Sequence, residues 1–221
     1  MKRLLLAALA GLATAFFGLV AILHTQFGRP VLRRLGVACP AMKVSPAQVE
    51  SVRLRGVASL RSVAPSPARP ALGQKLDVTR AADVRAWAGE HGFACTESIR
   101  PAHVLKCGAA GVAVLDPKAP PTDQIAFAFA PDGRLIGVDR LRSTLTPPEA
   151  SRLFGEAAEA LGAALGPAEL AGEATPAYLA GGVMHTARLA YRFSDYLATV
   201  TAMNVGRRVV LHEQYESARG G

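Results

Sequence analysis

The chain lacks each of the short motifs that would announce a familiar chemistry: no G-x-S-x-G, no H-E-x-x-H, no phosphate-cradling glycine loop, no C-x-x-C and no C-x-x-C-H. These absences remove the usual signs of a nucleophile elbow, a helical zinc site, a nucleotide loop, a dithiol redox centre and haem attachment. Cysteine is scarce, with three in 221 residues. Acidic residues are nearly missing from residues 29–85, where eleven Lys and Arg meet only Glu50, Asp77 and Asp83. Residues 86–221 hold twelve basic against fourteen acidic residues, so the formal charge of +8 belongs to the N-terminal part.

One feature of the sequence stands out against these absences. Leu4 to Leu23 carries no charge and follows Lys2 and Arg3. At about 1.5 Å per residue such a helix covers roughly the 30 Å of a bilayer's hydrocarbon core. The A-x-A-like Ala13-Thr14-Ala15 lies inside the run, and Leu23-His24-Thr25-Gln26 at its end lacks the small residues that a signal peptidase needs. Residues 1–28 therefore read as a membrane anchor or uncleaved signal. Lys2 and Arg3 favour a cytoplasmic N-terminus, whereas Arg29, Arg33, Arg34 and Lys43 count against it. The start of the chain and its cysteines resolve the orientation toward an exported body, on a single pass through a bacterial-type inner membrane with the soluble domain in the periplasm.

Residues 29–74 form a basic juxtamembrane stretch with a Pro-rich linker. Such a segment suits anionic lipid headgroups, while no nucleic-acid recognition motif accompanies it. Ser45-Pro46-Ala47-Gln48 reads as a capped helix start, giving a helix over 46–61 with Val49, Val52, Val57 and Leu60 on one side and Arg53 and Arg61 turned away. The prolines at 65, 67 and 70 end it, and the folded domain is expected from 75 to 221.

That domain reads as α+β, with antiparallel strands and two packing helices in an α-β-β-β then α-β-β-β order. Thr79 starts a helix to about His91, and strands follow at 93–97, 103–107, 111–115, 124–130 and 134–140. Pro131-Asp132-Gly133 marks a hairpin between the last two. Thr146-Pro147-Pro148-Glu149 opens the second helix, whose Ala150, Leu153, Phe154, Ala157, Leu161 and Leu165 repeat at three and four until Gly166. Turns at Ser194-Asp195 and Val205-Gly206 then set Tyr191 opposite Ala198, Val200 opposite Leu211 and Tyr196 opposite Tyr215. The two cycles start 67 residues apart, and in plan, though in no motif, the layout resembles the tandem units of β-lactamase-inhibitor-type proteins. Layout alone does not establish function.

Cys95 and Cys107 flank a hairpin centred on Pro101 and are expected to form a disulfide. Cys39 remains, as a free thiol or as a link between two copies; oligomeric state is otherwise unreadable. His91, Cys95, His103 and Cys107 imitate a zinc array, but His103 and Cys107 on one strand lie about 13 Å apart, too far for one ion. Neither a metal nor a cofactor is expected, and no catalytic residue is assigned.

Alternation leaves Arg188, Arg192, Thr199 and His212 on the face away from the core. Guanidinium groups there can engage carboxylate or phosphate in a planar, bidentate manner. The expectation is a membrane-anchored envelope protein whose soluble domain binds a protein or ligand. The competing class is an envelope hydrolase with catalytic residues on loops. A deep cleft with convergent His, Asp or Ser would mark the hydrolase, and a shallow sheet face bordered by Arg would mark binding.

Overall fold

The computed structural model describes residues 45–108 and 122–219. The apolar run at 4–23, Cys39 and the strand expected at 111–115 lie outside them. Among the described residues no helix is long and apolar enough to cross a membrane.

Among the described residues the fold is α+β, with four helices and one antiparallel sheet of eight strands. Helix α1 is Pro46–Ala58 and α2 is Ala81–Glu90. Strands β1 (Ala94–Ser98), β2 (His103–Gly108), β3 (Gln124–Phe129) and β4 (Leu135–Leu145) come next, and α3 (Pro147–Leu165) follows. The chain then runs through β5 (Glu169–Ala171), α4 (Pro176–Ala180), β6 (Thr186–Arg192), β7 (Tyr196–Asn204) and β8 (Val209–Ser217). The strand order is β1-β2-β3-β4-β8-β7-β6-β5. Each half is thus a helix followed by four strands, and the last strands of the two halves, β4 and β8, pair at the centre. The expected order of three strands per cycle becomes four in each half. Strands β1 to β4 match four of the five segments expected in the first, the fifth lying outside the described residues, and the short β5 adds one to the second.

Local signals in the sequence account for the main elements. Thr146 accepts from the Glu149 backbone N–H while the Glu149 carboxylate accepts from Thr146 N, a reciprocal cap with prolines in the first turn. Gly166, at φ 85°, ends α3 where a side chain would be strained. Helix α2 begins one residue later than a cap at Thr79 predicts, with Arg80 in the cap position. The Thr79 hydroxyl accepts from Lys75 N, and Asp83 accepts from the Arg80 N–H instead. The β3–β4 hairpin closes over Pro131-Asp132-Gly133, with Gly133 at φ 82° and Asp132 held by Arg134.

The β6–β7 register is the one expected, Tyr191 opposite Ala198 and Leu189 opposite Val200. The β7–β8 register is not. Val205 N donates to Arg208 O, so the turn is longer by two residues, and Val200 faces Glu213, Tyr196 faces Ser217 and Ala198 faces Tyr215. A slip of two keeps every side chain on its predicted face, because the side-chain period of a strand is two.

Both α2 and α3 cover one face of the sheet. Val84, Ala88, Leu153, Phe154 and Leu161 join Phe127, Val138, Val200 and Leu211 in a single core. Helix α1 lies apart from that core. Its Val57 packs on Leu197 and Ala218, at the edge of the opposite face. Arg53 is not turned away as expected: it pairs with Glu50 and Glu216 and donates to Ser217 O. Val52 and Leu60, expected on the packed side, are exposed.

The Pro-rich segment is no free linker either, since the compact unit begins at Ser45. Ala64 O accepts from Ser194 N, Ser66 donates to Asp195, and Tyr196 donates its hydroxyl to Pro70 O. Arg69 and Ser217 both donate to Asp77. This strap, running from Ala64 to Asp77, is tied to the sheet by hydrogen bonds that no periodicity in its sequence announces.

Candidate binding surface and a charged cavity

Cys95 and Cys107 are directly opposed on β1 and β2, with Cα atoms 4.0 Å apart, and are joined by a disulfide. Both other members of the zinc-like array are engaged elsewhere. His91 stacks near Trp87 and bonds Trp87 O, and His103 meets Glu97 at 2.6 Å. Among the described residues no group of three His, Cys, Asp or Glu could hold a metal.

The face away from α2 and α3 carries the predicted site residues. Arg188 faces Thr201 on β7, and Thr201 in turn faces His212 on β8, so these three form one cross-strand row. Thr199 stands in the next row, between Ala190 and Gln214. The His212 ring and the Gln214 amide both approach Asp139 Oδ1, at 3.2 and 3.0 Å. Arg192 lies two side-chain positions from Arg188, about 13 Å along the strand, and meets Glu169 at 3.5 Å. The two guanidinium groups therefore cannot share one small anion. Each would hold its own, which suits an extended partner.

A second site was missed by the sequence reading. Glu213 is fully buried on the covered face, where it accepts from Arg140 Nε and Nη2 at 2.8 and 2.6 Å, from Arg142 Nη1 at 2.9 Å and from the Tyr215 hydroxyl at 2.8 Å. Burial and the neighbouring carboxylate push the Tyr215 phenol far above its ordinary range, so it stays a donor. Above this cluster a cavity of about 360 Å³ opens between α3 and the strap. Its lining among the described residues contains no His, Asp or Ser. The signal was present in the alternation: Arg140 and Arg142 share the inward parity of Val138, and Glu213 that of Leu211 and Tyr215. Three charges at core positions of adjacent strands are costly unless paired, which predicts their mutual contact.

His185 and Glu213 do not meet. The His185 ring bonds Tyr178 O and stacks on Tyr178, while Glu213 lies on β8 opposite Val200. Of Asp123, Asp132 and Asp139, only Asp132 serves a local hydrogen bond, to Arg134; Asp123 accepts from Ser143 on β4, and Asp139, within β4, meets His212 and Gln214 across the sheet on β8. Comparison with protein-family models, with curated proteins and with solved structures finds no match to this chain.

Proposed function

We propose that this is a membrane-anchored envelope protein whose body is a binding module, with the face of the sheet away from α2 and α3 as its working surface. The observation that carries the reading is the register. Arg188, Thr201 and His212 fall in one row and Thr199 in the next, on strands whose opposite face is packed under α3. A broad face bordered by exposed arginines offers charge-assisted hydrogen bonds to an acidic partner at several separate points. Among the described residues the cavity lining holds no His, Asp or Ser, the residues whose convergence in a cleft would favour the hydrolase, and this supports the binding reading. The anchor at residues 4–23, an exported body and a protein partner in the envelope complete the proposal, supported by the apolar run and by the disulfide, which suits an oxidising compartment.

Crosslinking in intact cells tests it. Replacing Arg188 and Arg192 together by Ala should lower capture of the crosslinked partner while leaving the thermal midpoint nearly unchanged. Unchanged capture would return this face to the role of a solvated surface. A phosphatase fused after Gly221 should be active only if the body is exported.

A further inference from the structure

We propose that the cavity beneath α3 is a second, separate binding site, for a small carboxylate with a compact apolar body, whose anionic end sits on Arg140. At about 360 Å³ the space falls within the usual range of ligand pockets, about 300–1,000 Å³. Small residues, Ala157 and Ala160 on α3 and Gly73 on the strap, line it and leave room for it. Leu153, Ala157 and Leu161 are each four residues apart and so lie along one line of α3; the leucines pack on the core, and Ala157 between them leaves the gap. Leu72, from the strap, faces it across the opening. Apolar walls and a cationic floor are the make-up of a site for an organic acid.

The donor inventory defines the anionic end. The four hydrogen bonds received by Glu213 fill the lone-pair capacity of its two oxygens. Arg140 spends its Nε and Nη2 side on that carboxylate, and the group is a fifth exposed, toward the cavity that it lines. The Nη1–Nη2 end remains, two parallel N–H groups with the spacing of a second carboxylate. Glu156, also in the lining, does not contest this position, since its carboxylate is drawn to Arg152 on the helix surface. A phosphate would present the right charge but would leave the apolar walls uncovered.

Full-length protein in lipid nanodiscs, titrated with benzoate and with the neutral isostere benzamide by ligand-observed NMR against empty nanodiscs, tests the assignment. Benzoate should bind at least about tenfold more tightly than benzamide, the usual gain from a charge-assisted pair. Ala157→Leu fills the gap with an apolar side chain, and should abolish benzoate binding while the circular dichroism spectrum is retained. Arg140→Lys keeps a cation beside Glu213 but removes the planar end, and should weaken benzoate about tenfold. Equal binding of the two probes, no binding of benzoate at millimolar concentration, or binding that both variants leave intact would overturn the proposal. Neither variant touches the open sheet face, so failure here leaves the partner-capture result unaffected.

Discussion

The two faces of the sheet are built from alternate residues of the same strands, and they differ in almost every physical respect. Along one cross-strand row of the covered face stand Cys107, Ile125, Arg140, Glu213, Val200 and Leu189; along a neighbouring row of the open face stand Lys106, Ala126, Asp139, Gln214, Thr199 and Ala190. The covered row has apolar side chains at its ends and, in the middle, a charge cluster gathered on the buried Glu213. The open row is short or polar throughout and needs no closure, because water serves it. Charge on the covered face is paired inside the core, whereas charge on the other face is paired at the surface, where Arg188 and Arg192 stay exposed.

The sharpest way to break this comparison is to leave the covered cluster incomplete. Glu213→Ala removes the buried carboxylate that Arg140 and Arg142 share, and should cost about 3–5 kcal/mol, measured by urea unfolding, as removal of one partner of a buried pair does. A loss below about 1 kcal/mol would mean that the cluster is hydrated and its burial overstated.

Next in size is the disulfide that closes the covered face at its outer strands. Cys95→Ser should cost about 2–4 kcal/mol, and mass mapping of unreduced protein should find the two cysteine peptides joined. Free, alkylatable thiols at both positions would remove the disulfide and weaken the case for an exported body.

Smaller still is the helix cap over that face. Thr146→Ala removes the acceptor for the Glu149 N–H and should cost about 1 kcal/mol by the same unfolding measurement.

A pH titration sharpens the contrast at the β6–β7 turn. Burial opposes ionisation of Asp195, but the backbone N–H and hydroxyl of Ser66, together with Arg219, outweigh it and hold the carboxyl below its ordinary value. A carboxyl depressed in the folded state contributes stability above its unfolded pKa of about 3.9, and that contribution is lost as the pH falls through the folded value. Asp195→Asn should therefore flatten the acid limb of the stability curve below about pH 4. An unchanged limb would mean that the strap is held by its backbone contacts alone.

How much of this was legible in the sequence depended on the range of the interactions. The caps at Ser45 and Thr146, the Pro131-Asp132-Gly133 hairpin and the Cys95–Cys107 pairing are settled within a dozen residues, and each could be read. Face assignment on β6, β7 and β8 also held, since parity survived the two-residue error at Val205–Arg208. Arg53 was misplaced because its partners, Glu216 and Ser217, lie more than 160 residues away. The strap was misread for the same reason: prolines hide nothing about local conformation but say nothing of Tyr196 and Asp195, which hold it. The Arg140–Glu213 contact needed the central pairing of β4 with β8, which local pattern does not contain. Accordingly, the face that carries Arg188, Arg192, Thr199 and His212 was legible and the cavity was not.

The most direct test of the account is the paired measurement on the open face alone. Arg188→Ala with Arg192→Ala should shift unfolding free energy by less than about 0.5 kcal/mol, as exposed substitutions usually do, and in the same preparation should reduce capture of the crosslinked partner. Full capture with unchanged stability would contradict the claim that this face is where the protein binds.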